Sequence, residues 1–323
     1  MRIIALEEHL VTPLYLEKMP PRPRTPSMMR RQEVHGHDVA TELLDIGASR
    51  LRAMDAAGID VQVLSLTMPG TQALAAADAV AVATDCNDRV AAACKAHPTR
   101  FAGFAALPTA DPAAAVKELE RCVTRLGFKG TMINGHTNGS FLDDKKYWGI
   151  LECAQSLDVP IYLHPREPHP AVLKAYFEGF DELRTAAWGF AMETCTHFLR
   201  MLVAGVFDQF PRLKFILGHL GEGLPFWLDR FEDHTRFGLE ARGLKRGPRQ
   251  YLTENLVVTC SGNFSTPAFL CTVMAMGIDN VLFSVDWPYE SNKIAMDFLQ
   301  HLPFADADKE KIAHGNAERV LKL

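Results

Sequence analysis

The chain has 323 residues, with 34 Lys+Arg against 39 Asp+Glu and a net charge of -5. That length suits one α/β barrel with insertions or two ordinary domains, and a core of that size folds without a disulfide or a structural metal. The mild acidity speaks against nucleic acid as a partner, and no apolar run approaches the roughly 18 residues of a membrane span. Seven scattered Cys without C-x-x-C spacing read as reduced thiols of a cytoplasmic protein, and MRIIALEEHL does not read as a signal peptide.

In chain order, short apolar runs alternate with helical patterns. Ile3–Leu6 is the first predicted strand, running into Glu7-Glu8-His9, and Val61–Leu66 is the second. Phe101–Ala106, Gly130–Asn134, Pro160–His164, Lys214–His219, Leu256–Cys260 and Val281–Asp286 follow. Between most of them lie helical segments: Asp78–Lys95, Asp111–Leu126, Trp148–Leu157, Trp188–Val203, Pro225–Phe237, Pro267–Met276 and Ile294–Leu302. Asp111-Pro112 is a helix start, an N-cap acid followed by Pro at the first helical position. Eight alternations predict a single (β/α)8 TIM barrel over 1–323, and no G-x-G-x-x-G or P-loop follows any strand. Two insertions interrupt the pattern. Leu10 to about Asp38, rich in Pro and Arg, is expected to be irregular, as a surface loop, an oligomer arm or a lid. Pro165–Ala187 follows strand 5 and is placed to wall the site.

A barrel's active site lies at the C-terminal ends of its strands. Strand 1 ends in Glu7-Glu8-His9, strand 4 in Asn134 with His136 beyond, and strand 5 in His164. Strand 6 ends in His219 and strand 8 in Asp286. Carboxylates and imidazoles converging from several strand ends form the ligand set of a Zn, Mn or Fe site. Glu7 and His9 share one side of a strand while Glu8 points away, so Glu8 is expected to be structural and ion-paired. His197 reads as a helix residue, whereas His35 and His37 in the first insertion stay open.

E-x-H after strand 1, H-P after strand 5, G-H-x-G-E-x-L-P after strand 6 and D-x-P after strand 8 resemble the amidohydrolase superfamily. More narrowly they resemble its aminocarboxymuconate-semialdehyde decarboxylase-like branch. Ala5–His9, Phe101–Pro108, Gly127–Gly130, Val206–Asp208 and the ending from Asn316 to Leu323 resemble the nonoxidative ortho-hydroxybenzoate decarboxylases within it. Those act on γ-resorcylate, 2,3-dihydroxybenzoate and 5-carboxyvanillate. The resemblance implies one divalent ion, Zn or Mn, held by Glu7, His9, His164 and Asp286. Glu7 replaces the first His of the hydrolytic His-x-His, and strand 4 ends in Asn134 where binuclear members carry a bridging Lys. Lys129 lies at the other end of that strand.

The implied reaction removes CO2 from a small aromatic carboxylic acid. Asp286 is the proton donor to the ring carbon, and His219 is its partner, oriented by Glu222. Arg230 is a candidate for the substrate carboxylate, in its own or a neighbouring subunit. Asn134, His136 and Phe190 are candidate ring contacts. A homodimer or homotetramer is expected, with Trp227, Phe231 and Phe237 as apolar surface. The rival reading is a mononuclear metal hydrolase of an ester, lactone or amide, which would use almost the same residues. A non-catalytic scaffold is a third reading, against which the intact constellation argues.

Overall fold

The computed structural model describes residues 1–19 and 38–323. Its strands are β1 (Ile4–Leu10), β2 (Val61–Leu66), β3 (Phe101–Gly103, resuming at Ala105–Ala106), β4 (Thr131–Asn134), β5 (Ile161–His164), β6 (Phe215–Leu217), β7 (Leu256–Thr259) and β8 (Val281–Leu282). Each pairs with the next in parallel. At the break in β3, the Phe104 amide donates to the Leu64 carbonyl at 2.9 Å and keeps the two pieces in line. The ring closes where Glu8 bridges to Trp287 and the His9 amide donates to the Trp287 carbonyl at 2.8 Å. This is the expected (β/α)8 TIM barrel.

The interior is filled by alternate residues of the strands. Ile4, Leu6, Val63, Phe104, Met132, Ile216 and Leu282 form one buried cluster, joined from below by Ala317 and Leu321 of the terminal helix Asn316–Leu321. The second residue set of each strand packs outward against the helices. Helix Pro112–Thr124 starts as its sequence dictates: the Asp111 carboxylate accepts from the Ala114 amide at 3.0 Å, with Pro112 in the first turn. Among the described residues, no helix is long and apolar enough to cross a membrane.

One irregularity decides the site. The β1–β2 register runs Ala5↔Gln62 and then Glu8↔Leu64, three steps on β1 against two on β2. Ile4 and Leu6 face the barrel interior, so strict alternation would send Glu8 there too. The bulge turns Glu7 and His9 to the centre and Glu8 to the outside. Two backbone amides at the bulge, those of Leu6 and Glu7, donate to Ser284 Oγ at 3.2 and 2.6 Å.

The first insertion is not wholly irregular. Pro13–Lys18 is a helix, capped by Thr12, whose side chain accepts from the Tyr15 amide at 3.2 Å, and anchored by buried Tyr15. Val39–Leu44 and Ala48–Ala57 are further helices before β2. The Pro- and Arg-rich stretch 20–37, with His35 and His37, lies outside the described residues. The second insertion contains the helix Pro170–Phe177 and a 3-10 turn at Asp181–Leu183.

Candidate metal centre and active site

The bulge of β1, the ends of β5 and β6 and the turn after β8 meet above the barrel core. One ligand atom from each of Glu7, His9, His164 and Asp286 falls within 4.8 Å of all the others, the one such group among the described residues. Glu7 Oε1 lies 3.0 Å from His164 Nε2 and 3.9 Å from His9 Nε2. His9 Nε2 lies 3.2 Å from Asp286 Oδ1. Glu7 and His9 are fully buried, and the Asp286 side chain is 14% exposed.

Three of these inward atoms, Glu7 Oε1, His9 Nε2 and Asp286 Oδ1, have no hydrogen-bond partner. Buried polar atoms left unpaired are costly, and here they converge on one point, which fits a cation at that point. His164 is prepared for the same task. Its Nδ1 lies 2.7 Å from the Pro165 carbonyl, which can only accept, so Nδ1 carries the proton and Nε2 keeps its lone pair for the cluster. The donor set of imidazole nitrogens and carboxylate oxygens suits one divalent ion of the Zn or Mn kind.

The other oxygen of Glu7 is held from behind. Tyr162 and Ser261 both donate to Glu7 Oε2. Thr259 ties these two hydroxyls together, at 2.8 Å from Tyr162 and 2.9 Å from Ser261. Burial and the Glu7 charge push the Tyr162 phenol well above its usual range, so it stays a donor. Gly218 leaves room for this network: a Cβ there would stand 2.7 Å from Glu7 Oε2 and 3.0 Å from Ser261 Oγ. Burial favours a neutral Glu7, but the charge of His219 and the close approach of His164 and His9 outweigh it and hold the carboxyl well below the usual range.

His219 stands beside the cluster. Its Nδ1 meets Glu222 Oε1 at 2.6 Å, and its Nε2 lies 3.6 Å from Asp286 Oδ2 and 3.8 Å from Glu7 Oε1. Burial disfavours the imidazolium, but the charges of Glu222 and Glu7 raise His219 well above the ordinary range. Asp286 is held low: burial opposes ionisation, and the imidazoles of His219 and His9 close by prevail. Between His219 and Asp286, the proton sits on His219.

Glu8 is structural, but its partners are neutral groups and not the expected ion pair. Its Oε1 accepts from the Val285 amide at 3.0 Å and from Ser284 Oγ at 3.2 Å, and its Oε2 accepts from Gln62 Nε2 at 3.1 Å. Burial pushes this carboxyl up to about 8. Arg50 is one residue further out, reached through Gln62.

Asn134 is paired in register with His164, is buried, and has Oδ1 unpartnered. His136 is buried next to it, accepts from the Gly139 amide through Nδ1, and leaves Nε2 unpartnered. Burial, helped by Arg166 and His169, brings His136 down to about 4. Phe190 is half-buried near the start of helix Gly189–Val203. Arg230 is exposed on helix Leu224–Ala241, without an ion pair among the described residues. His197 is a buried helix residue whose Nε2 accepts from the Leu142 amide. Lys129 reaches the Lys322 carbonyl at the opposite end of the barrel.

Tyr162, Ser261, Thr259 and Ser284 escaped the sequence reading. Tyr162 carried a signal: it lies two residues before His164 and so on the same face of β5. The hydroxyls at and just beyond the ends of β7 and β8 looked like ordinary strand residues.

The amidohydrolase family model matches residues 33–323. The chain belongs to the amidohydrolase superfamily. Within it, the chain falls in the decarboxylase-like branch. It is 40% identical to the γ-resorcylate decarboxylase of Rhizobium sp., with 99% of this chain and 98% of that protein covered. Among solved structures, the 2,6-dihydroxybenzoate decarboxylase from Rhizobium matches with TM-score 0.89 and 37% identity, covering 100% of this chain and 99% of that one. The 5-carboxyvanillate decarboxylase of Novosphingobium aromaticivorans, solved with manganese and 4-hydroxy-3-methoxy-5-nitrobenzoic acid, matches with TM-score 0.89 and 32% identity, covering 100% and 96%. The cluster on this chain is a site for a single divalent ion, Mn or Zn, of this amidohydrolase type.

Proposed function

We propose that this chain decarboxylates a γ-resorcylate-type acid, a benzoate with hydroxyl groups ortho to the carboxylate. The reaction class is metal-dependent, nonoxidative decarboxylation of an ortho-hydroxybenzoate, catalysed by a carboxy-lyase of the amidohydrolase superfamily. The observation that carries the reading is the His219–Glu222 pair directed at Asp286 beside a cluster of unpartnered ligand atoms. The γ-resorcylate and 2,6-dihydroxybenzoate decarboxylases named above support it, as does the intact His9, whereas Ile133–Thr137 and Trp188–Thr194 lean to the carboxyvanillate type.

Loss of CO2 from a ring leaves an aryl carbanion unless the ring carbon is protonated first. Glu7, His9, His164 and Asp286 would hold a divalent ion, which when bound would supply Lewis acidity to orient the acid and favour its phenolate. The chain supplies the proton. Asp286, the assigned donor to the ring carbon, is ionised in this geometry and must first receive one. His219, 3.6 Å away and kept charged by Glu222, is the neighbouring source. Burial of Glu7, His9 and Tyr162 excludes water from the floor of the site. Asn134, His136 and Phe190 are assigned to the ring and its second hydroxyl, and Arg230 to a substrate carboxylate.

Residues 1–323 act as one barrel domain in this reading, since the terminal helix closes the barrel floor. A homodimer or homotetramer is supported by the exposed rings of Phe226, Trp227 and Phe237; Phe231, by contrast, turns back onto the core. The free cysteines fit a cytoplasmic location.

The test is CO2 release from 2,6-dihydroxybenzoate, 2,3-dihydroxybenzoate and 5-carboxyvanillate, with metal analysis of the same sample. Turnover of the first above the others supports the proposal. Hydrolysis of esters or lactones with solvent oxygen in the product, and no CO2 from any acid, overturns it.

A further inference from the structure

Arg50 is among the largest fully buried side chains of the described residues. It projects from helix Ala48–Ala57 toward the outer face of β1. Its donors are spread over three acceptors: Nη2 to the His9 carbonyl at 2.5 Å, Nε to the Asp45 carbonyl at 2.9 Å, and Nη1 to Gln62 Oε1 at 3.3 Å. Its guanidinium also lies over the Trp287 indole, 4.3 Å from the ring centroid. Burying a cation in this way is expensive, and an apolar side chain of the same volume would serve stability as well or better.

Its contacts indicate what the cation is for. The carbonyl it holds belongs to His9, and the ring it covers belongs to the residue after Asp286. Those two residues are joined by the hydrogen bond that closes the barrel, His9 amide to Trp287 carbonyl. Asp286 itself sits at φ 76°, a left-handed conformation that a non-glycine residue holds only when its surroundings enforce it. We propose that Arg50 is a positioning residue of the metal centre, clamping the β1 and β8 ends so that His9 Nε2 and Asp286 Oδ1 converge. A planar fork spreads its donors over separated acceptors while its face lies on the indole, whereas a lysine gathers its donors on one nitrogen.

This role rests on the metal centre and not on the reaction, so its test is Mn2+ binding. Arg50→Met and Arg50→Lys would be purified, stripped of metal and titrated with Mn2+ by calorimetry, with the EPR spectrum of the bound ion recorded. Leu119→Ala, a fully buried core substitution in helix Pro112–Thr124, is the stability control. Loss of an outer partner of a metal ligand lowers affinity by about 10–100-fold. Arg50→Met is expected in that range, with a broadened Mn2+ spectrum, and Arg50→Lys is expected between it and the wild type. Leu119→Ala is expected to melt earlier and bind Mn2+ as the wild type does.

Folded Arg50 variants that bind Mn2+ within twofold of the wild type would overturn the proposal. So would a Leu119→Ala protein weakened as much as they are. If neither Arg50 variant folds, Trp287→Leu removes the stacked ring alone, and unchanged Mn2+ affinity in that protein overturns the clamp. Mn2+ binding that follows Arg50 in a protein that decarboxylates none of the acids would leave the clamp standing and refute only the proposed reaction.

Discussion

Tyr162→Phe removes one oxygen from the interior and leaves the ring volume in place. That oxygen is one of two donors to Glu7 Oε2, so the buried carboxylate keeps Ser261 alone. A hydrogen bond to a charged group is worth about 1.5–3 kcal/mol, and tenfold in affinity corresponds to about 1.4 kcal/mol. Part of the loss falls on the protein whether or not metal is bound, so metal affinity should drop by about 10–100-fold, the usual range for such outer partners. Glu7 gains freedom to rotate Oε1 away from His164, which lies 3.0 Å from it. Thr259→Val is the matched comparison, because Thr259 touches Tyr162 and Ser261 but not Glu7. Its effect should be several-fold smaller. The assay is calorimetric titration of stripped protein with Mn2+ and Zn2+. A Tyr162→Phe protein that binds both ions within twofold of the wild type would refute the reasoning that Glu7 is aimed from behind.

Two further outcomes follow from the charges at the site. Asp286→Asn should still bind substrate, with turnover down by about 10²–10⁴-fold, the usual worth of acid–base catalysis. In heavy water the wild type should place one deuterium on the carbon that lost CO2, and near-normal CO2 release by Asp286→Asn would move the proton donor to His219. The second outcome concerns pH and His9. Burial lowers its basicity, but the carboxylates of Asp286 and Glu7 close by win and raise it to about 9 in the metal-free site. A ligating imidazole must be neutral, so metal displaces that proton, and apparent affinity should climb about tenfold per pH unit toward pH 9 and then level off. The sign is opposite for stability: the raised pKa favours the metal-free fold below about 6.5, and that contribution is lost as pH rises through about 9. A flat metal affinity between pH 7 and 9 would contradict the His9–Asp286 contact.

The barrel was legible because each strand is a short apolar run bounded by helical periodicity, and parallel β/α order leaves few topologies. The convergence of Glu7, His164, His219 and Asp286 followed from chain order alone, since every barrel strand ends on the same face. The orientation of Glu7 was right for an incomplete reason. Alternation along β1 puts Glu7 and His9 together but assigns their side to the outside, because Ile4 and Leu6 occupy the inside. The bulge reverses this, and nothing in the sequence marks it: its amides are held by Ser284 just after β8, a residue far away in the chain. The same holds for Arg50 and Glu8. A helix with Arg at its third position looks like a surface helix until Gln62, Trp287 and the His9 carbonyl are placed around it. Pro13–Lys18 was missed because the Pro and Arg content of the whole insertion masked a short capped helix at its start.

Backbone strain shows where this structure spends stability on geometry. His219, Leu220, Glu222 and Asp286 all have positive φ, between 51° and 76°, and all lie at the ends of β6 and β8. Each such residue costs on the order of 1–3 kcal/mol. An extended exit from β6 would carry His219 along the strand and away from Asp286. The left-handed turn folds the chain back instead, bringing His219 Nε2 to 3.6 Å from Asp286 and Glu222 to 2.6 Å from His219 Nδ1. This also bears on the choice of probe at position 286. Asparagine tolerates left-handed φ better than other non-glycine residues. Asp286→Asn therefore alters the charge and leaves the turn intact, whereas Asp286→Ala would relax the turn as well and could not separate loss of the acid from loss of the geometry.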